Sequence, residues 1–429
     1  MNVLVVGSGG REHALCWALK RGGAVSRLFC APGNAGIAEV AECVPVGATD
    51  VRGLADFAER ERVELTVVGG EAALAAGLAD EFEGRGLRVA GPRRAAARLE
   101  SSKAFAKEFM LRHGVPTARH RVAASPAEAR EILRGGEFGA AGAGVVVKAD
   151  GLAAGKGVVV ARTREEAEAA VAEMMEGGRV GSEAAARVVI EEALTGPEAS
   201  LLLWTDGKDF VLMPPARDHK RVGEGDTGPN TGGMGAVTAE GLLDDETLAR
   251  AVREVVEPTL EGARAEGLDF RGVLFVGLML TPEGPRVLEY NVRFGDPEAQ
   301  AILVRLESDL TEIFDAVARG RLGGVKVGWG ADASACVVLA APGYPERPQT
   351  GATIEGLEEA ARVEGVRIFH AGTARAPDGS LITAGGRVLG LTATGSTLER
   401  ALARSYEAAS RIRWEGMHYR RDIGKFSRR

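Results

Sequence analysis

Along the chain, short β-branched apolar runs alternate with longer segments of helical spacing. Asn2–Val6 is an apolar run that predicts a buried strand. A glycine turn, Gly7-Ser8-Gly9-Gly10, leads into a helical pattern over His13–Arg21. A strand at Arg27–Cys30, a helix at Val51–Arg62, a strand at Leu65–Val68, a helix at Ala72–Glu83 and a strand at Arg88–Ala90 continue the series. Such alternation predicts a parallel α/β domain of about ninety residues. Its ligand loops belong at the strand C-terminal ends, Gly7–Glu12, Pro32–Gly36 and Gly69–Glu71. Ser101–His113 reads as an amphipathic helix with Lys103 near its start, and residues 121–190 as a small α+β lid with a helix over Arg164–Glu176. Strands follow at Val188–Glu192, Ala199–Thr205 and Asp209–Met213, the last two joined by the hairpin signal Asp206-Gly207. Arg217–Ala236 is almost free of apolar residues and predicts a long functional loop outside the core. Strands Gly272–Leu280 and Arg286–Val292, helices Pro297–Leu306 and Asp309–Arg319, and a linker at Leu322–Gly330 come next. The remainder, Ala331–Arg429, predicts an α+β domain with strands Ala333–Ala340, Arg367–His370 and Arg387–Thr394 and a helix over Thr397–Ile412. The fold class expected is α/β and α+β multidomain.

Two stretches carry chemistry. Val145–Val160 sets two valine runs around a tip that holds Gly151, Ala154, Gly155 and Gly157 together with Lys148 and Lys156. Glycine lets backbone N–H groups approach a phosphate, and the lysines add point charges, so the stretch reads as a nucleotide-triphosphate clamp. It is not a P-loop: the spacing between Gly151 and Gly155 is one short, and Gly157 stands where the metal-binding hydroxyl belongs. In the second stretch, side chains alternate along the strand, so Glu289, Asn291 and Arg293 share one face. A carboxylate and an amide oxygen are ligands for magnesium held jointly with substrate phosphates, and an arginine fork can meet a carboxylate or phosphate. The N-terminal turn matches a dinucleotide fingerprint poorly. Glu12 replaces its third glycine and no ribose-binding acid ends the second strand, which points to a smaller phosphate. Asp218, His219 and Lys220 bring an acid, an imidazole and an ammonium together in the polar loop.

Composition narrows the classes. The 429 residues include 59 glycines, roughly twice the usual ~7%, which suits ligand-binding backbone. A net charge of −7 argues against a general nucleic-acid binder. Cys16, Cys30, Cys43 and Cys336 show no paired spacing, as expected of a reducing compartment without a zinc site. The first residues enter a strand directly and no run approaches the ~20 apolar residues of a membrane span, so a cytoplasmic protein is expected.

The motifs GSGGREHAL, APGNAG, LESSKAF, VVKADGLAAGKGV, VIEE, DHKRVGEGDTGPNTGGMGA, EYNVRFGDPE, APGYP, FHAGT and RDIG run nearly end to end. In them the chain closely resembles the glycinamide ribonucleotide synthetase (phosphoribosylamine–glycine ligase) family of the ATP-grasp superfamily. The resemblance implies a Rossmann-like N-terminal domain over residues 1–101, on the phosphoribosylamine side. It also implies an ATP-grasp domain over 102–326 with a lid at about 121–190, and a C-terminal α+β domain over 327–429. The implied reaction joins glycine to 5-phosphoribosylamine at the expense of ATP, through glycyl phosphate, in purine biosynthesis. Magnesium or manganese assists, and the enzyme works as a monomer on small molecules, without nucleic acid or membrane. By motif match, Lys103, Lys148 and Lys156 hold ATP phosphates beneath the Gly151–Gly157 backbone, with Lys148, Lys156 and Arg293 in catalytic roles. Glu191, Glu192 and Leu194 meet adenine, and Glu198 the ribose. Glu289 and Asn291 bind the metal. Gly9, Gly10, Arg11, Glu12, Asn34 and Glu71 hold phosphoribosylamine; Asp218, His219, Lys220, Arg293 and Asp296 face glycine. Two departures stand out: Gly70 and Ala73 replace prolines usual in the family loop, and Arg217 stands where glutamine is common. Against this reading stand another ATP-grasp ligase, such as a carboxylating ribonucleotide enzyme or a biotin carboxylase-like subunit, a dinucleotide-dependent oxidoreductase, and a nucleotide-binding scaffold without catalysis.

Overall fold

The N-terminal apolar runs build a five-stranded parallel sheet in the computed structural model, which describes residues 1–138, 144–153, 157–177, 181 and 184–426. Its strands lie in the order Glu42–Cys43, Arg27–Pro32, Asn2–Gly7, Leu65–Val68, Val89–Ala90. Side chains of Asn2–Gly7 alternate between two cores. Leu4 and Val6 pack with Leu54, Phe57, Leu78 and Phe82 of the helices Val51–Arg60 and Leu78–Gly84. Val3 and Val5 pack with Leu15 and Leu19 of Gly10–Arg21 and with Ile313 and Phe314 of Leu310–Arg319. The helix expected over Ala72–Glu83 is two, Glu71–Ala75 and Leu78–Gly84, because Gly77 takes φ +89° between them. The helix expected from Ser101 is preceded by a separate one, Arg94–Ser101. Ser102 then accepts the Phe105 N–H at 3.1 Å and starts Lys103–Arg112.

The central domain is a four-stranded antiparallel sheet, Phe210–Leu212, Glu198–Thr205, Gly272–Thr281, Gly284–Asn291. Above it stands the lid, whose strands run His120–Ala123, Val188–Glu192, Val145–Ala149, Val158–Ala161 under the helices Pro126–Arg134 and Arg164–Met175. The two valine runs pair antiparallel as expected, Lys148 opposite Val158. One long helical stretch went unforeseen: Asp245–Ala251, Val252–Val256 and Glu257–Ala265 follow without interruption. Pro258 lacks an N–H to donate, and the middle segment just before it is a π-helical turn, which widens the helix there.

The C-terminal sheet draws in part of the segment expected as a loop outside the core. Its order is Arg217–Asp218, Gly235–Thr238, Ala333–Ala340, Arg387–Gly395, Val366–His370, so two of the five strands come from the segment read as a loop outside the core. Met234, Ala236 and Val237 are fully buried there, and Gly235 lies so close to the Cys336 carbonyl that a Cβ would sit 2.7 Å from it. The rest of the segment forms the hairpin Arg221–Gly223 with Thr227–Asn230. Leu322–Gly330 is likewise not a free linker. Leu322 is fully buried, and Trp329 stacks on Trp204 with ring centres 5.8 Å apart.

Candidate active site

Lid, central sheet and both flanking domains enclose one cleft of about 410 Å³. Its central wall is the strand Gly284–Asn291, where the predicted alternation holds: Glu289, Asn291 and the following Arg293 all face the cavity. The lid contributes Lys148, Gly151, Gly157 and Glu191, the helix Lys103–Arg112 contributes Lys103 and Lys107, and the polar segment Asp218 and Lys220. Ala154, Gly155 and Lys156, expected at the phosphates, lie outside the described residues.

Lys107 and Lys148 pair with Glu191 at one end of the cleft, and Arg293 with Glu71 and Glu100 at the other. Lys148 donates to the Leu288 carbonyl at 2.9 Å and pairs with Glu191 at 3.0 Å, while Lys103 donates to the Gly151 carbonyl at 3.1 Å. Asp150 ties the glycine tip down, accepting from the Ser102 hydroxyl (2.9 Å) and the Ala104 N–H (3.1 Å) at the start of the same helix. Burial would push the Glu289 carboxyl up, but Lys220, Lys148, Lys103 and Arg293 outweigh it and hold the group below the usual carboxylate range. Glu298 behaves oppositely: burial and the neighbouring Asp218 raise it to about 7. It accepts from the Ser200 hydroxyl at 3.3 Å.

Arg293 is the hub of the second end. Its guanidinium donates to Glu71 (3.1 Å), Asn291 Oδ1 (3.3 Å) and the Phe294 carbonyl (3.0 Å), and pairs with Glu100 at 2.7 Å. These bonds commit its fork to protein groups. Glu71 keeps its place although Gly70 and Ala73 lack the prolines, because Arg293 and Arg11 fix its charge; against burial, they bring its carboxyl down to about 2. Asp296 is held by Gln300 (2.7 Å) and by Arg387 (3.0 Å) from the C-terminal domain.

Several expected site residues bond to other parts of the protein. The Asn34 side chain donates to the Ser8 and His370 carbonyls, both at 2.8 Å, and accepts the Gly36 and Ile37 N–H groups, both at 2.9 Å. Its hydrogen-bonding capacity is used within the N-terminal domain and, through His370, in tying that domain to the C-terminal one. His219 turns away from Asp218 and Lys220, as strand alternation requires; it accepts the Gly424 N–H at 2.9 Å and stacks on Phe426. Arg217 packs over the same Phe426 ring at 3.7 Å. Glu192 pairs with Arg119 at 2.7 Å, and Glu198 pairs with the cleft lysine Lys220 at 3.5 Å. At the N-terminal turn, Glu12 fills the space under Gly7 and Gly69 and takes the Gly9 N–H at 2.6 Å and Arg11 Nε at 2.7 Å. That carboxylate takes up the Gly9 N–H, a turn donor of the kind a dinucleotide pyrophosphate would use, which counts against the oxidoreductase alternative. Gly10 packs against Gln300 and Ala371, and Arg11 reaches the cleft and the Phe294 carbonyl at 3.1 Å.

Sequence reasoning missed Lys107, Glu100, Glu298 and Arg387. Lys107 lies one turn after Lys103 on the same helix face, and Glu100 and Glu298 sit inside the quoted motifs LESSKAF and EYNVRFGDPE, so a signal existed for these three. Arg387 had none, since only tertiary folding brings it to Asp296.

A lid of antiparallel strands over an antiparallel sheet, with Lys148 of the lid and Lys103 of the adjoining helix near the Glu289 carboxylate of the sheet, defines an ATP-grasp enzyme. Residues 101–299 match the phosphoribosylglycinamide synthetase ATP-grasp (A) domain, residues 1–100 its N domain and residues 334–426 its C domain. The chain belongs to the phosphoribosylglycinamide synthetase family. It is 50% identical to a phosphoribosylamine–glycine ligase of Caulobacter vibrioides, over 99% of this chain and 98% of that one. A ligase of the same name from Brucella melitensis is 48% identical over 99% of this chain and 97% of its own. The crystal structure of phosphoribosylamine–glycine ligase from Thermotoga maritima superimposes with a TM-score of 0.84 at 36% identity, covering 98% of this chain and all of that one.

Proposed function

We propose that this chain joins glycine to 5-phosphoribosylamine with cleavage of ATP to ADP and phosphate, forming glycinamide ribonucleotide in purine biosynthesis. The observation that supports this reading most is the meeting of three groups on one cleft: the lid lysine Lys148 with Lys103, the Glu289–Asn291 pair, and the N-terminal Arg11 with Glu71. A carboxylate is a poor acyl donor, so ATP first converts glycine to glycyl phosphate, and the amine of phosphoribosylamine then displaces phosphate. No protein nucleophile is needed; positioning and charge neutralisation carry the rate. Lys103 and Lys148 hold the triphosphate, and Glu191 faces the adenine. Asp218, Lys220 and Asp296 orient glycine. Arg11 binds the ribose phosphate and Glu71 stands beside it.

Magnesium or manganese fits Glu289 and Asn291. Both offer hard oxygens, and the Glu289 carboxyl is held ionised by the surrounding cations. No group of three or more His, Cys, Asp or Glu side chains that could hold a metal is found among the described residues, and nucleotide phosphates would supply further oxygen ligands beside Glu289 and Asn291. When bound, the metal neutralises triphosphate charge. The reading takes the enzyme to be a cytoplasmic monomer; no helix among the described residues is long and apolar enough to cross a membrane.

Phosphate release is the test, measured from ATP with glycine and freshly prepared phosphoribosylamine and with each omitted in turn. Release that depends on both is expected. Release dependent on bicarbonate and indifferent to glycine would replace this reading with that of a carboxylating relative.

A further inference from the structure

We propose that Lys107 is a positioning residue that makes the cleft select adenine over guanine, by holding the Glu191 carboxylate so that its Oε1 is a free acceptor for an exocyclic amino group. The proposal rests on the reading of the cleft as the nucleotide site. It starts from one unsatisfied atom. Glu191 lies where the lid strand Val188–Glu192 meets the helix Lys103–Arg112, and is 2% exposed. Its Oε2 takes both ammonium groups, Lys107 at 3.1 Å and Lys148 at 3.0 Å. Its Oε1 is buried and has no hydrogen-bond partner among the described residues. A buried carboxylate oxygen without a donor is costly, and Glu191 lines the cleft, so the missing donor comes from the ligand. Adenine presents an amino group at its six position, where guanine presents a carbonyl oxygen. An acceptor at this place attracts the first and repels the second.

Lys107 and Lys148 together leave Oε1 free, and Lys107 is also fixed to the protein on its other side. Its ammonium donates to Thr117 Oγ1 at 2.6 Å, and that hydroxyl donates in turn to the Val287 carbonyl at 2.7 Å, so the lysine is anchored to the central sheet. Lys148 also reaches Glu191, but it serves the Leu288 carbonyl and, on the reading above, the phosphates. Lys107, 2% exposed, meets only Thr117 and Glu191 with its ammonium among the described residues. Burial tends to raise the Glu191 carboxyl, and Lys148 followed by Lys107 reverses this and holds it low. The acceptor form therefore persists in a dry site.

The test compares Lys107→Met and Glu191→Gln with the wild type. Melting shifts with MgATP and with MgGTP are read without turnover, and Michaelis constants for ATP, GTP, glycine and phosphoribosylamine with it. Loss of one charge-assisted contact predicts that Lys107→Met weakens ATP by about tenfold or more and lowers the ATP-to-GTP preference by a similar factor. The constants for glycine and phosphoribosylamine stay as in the wild type. A purely structural lysine would lower the melting temperature of the free protein and leave the nucleotide preference unchanged, and that outcome overturns the proposal. If Lys107→Met does not fold, Glu191→Gln decides, because its amide has the same shape and can turn an N–H to the guanine oxygen; an unchanged preference there is equally fatal. A wild type that shifts with neither nucleotide removes the nucleotide site and this proposal together. A wild type that shifts with ATP but makes no glycinamide ribonucleotide removes only the ligase reading.

Discussion

At the scale of single residues, the cleft works by surrounding each charge with opposite ones. Glu289 has four cations around it and accordingly stays ionised in a buried site. Replacing it with glutamine keeps the shape and removes the charge that a metal needs. The melting temperature without ligand should stay near the wild-type value. The stabilisation by MgATP, about 2.7 kcal/mol at a hundredfold excess over Kd, should vanish. Calorimetry with and without MgATP checks this, and a retained shift would take Glu289 out of the metal site. Arg11 supports a second prediction. Arg11→Ala should raise the Michaelis constant for phosphoribosylamine by about one to two decades, the equivalent of roughly 1.5–3 kcal/mol, and leave those for ATP and glycine nearly unchanged. Steady-state kinetics with one substrate varied at a time would show it; equal weakening of ATP would refute the division between domains. Glu289 and Asn291 were legible from sequence because a period of two along a strand fixes a common face. Asn34 and His219 were not: their side chains are consumed by Ser8, His370 and Gly424, partners that local spacing does not reveal.

At the scale of elements, the valine runs, the glycine tip and the parallel strands follow from local sequence, whereas three boundaries depended on context. Gly77 splits a helix, a π turn carries another up to Pro258, and Arg217–Ala236 becomes sheet because Ala333–Ala340 is there to pair with it. The helix Gly10–Arg21 meets the strand Val366–His370 through two buried imidazoles. The His370 N–H donates to His13 Nδ1 at 2.8 Å, which requires that nitrogen to be unprotonated. Burial, with His370 beside it, lowers His13 to about 3, and burial with Arg375 nearby lowers His370 to about 4. In the unfolded chain both titrate near 6.5, so between that value and about 3 to 4 the unfolded state binds protons the native state refuses. Their contribution is complete above pH 6.5 and declines as pH falls below it. Melting temperature should therefore drop from pH 7 to pH 5, and His13→Asn, which keeps an acceptor without a titrating ring, should flatten that slope. A wild-type slope in the variant would show that other groups govern it.

At the scale of the whole molecule, the three family segments are more interwoven than their order along the chain suggests. Arg387 and Tyr344 of the C-terminal domain line the cleft, the Gly232 N–H donates to the Tyr344 hydroxyl at 3.0 Å, and Asn34 bonds across to His370. Arg420, fully buried, grips Asp226 at 2.9 Å and Asp422 at 2.8 Å, and so fixes the hairpin beside Asp218 and Lys220. The shared sheet has a consequence for recombination between relatives. A crossover near residue 330 would graft a foreign Ala333–Ala340 onto the resident Gly235–Thr238 and mismatch the ladder that sets Ala236 opposite Cys336. Each mismatched buried contact costs roughly 0.5–3 kcal/mol, so such hybrids should melt earlier than either parent. Exchanging residues 217–238 together with 333–426 should restore the melting temperature and the affinity for glycine. The unit that inheritance can move intact is therefore discontinuous, with the strands flanking the glycine loop travelling with the domain that folds around them.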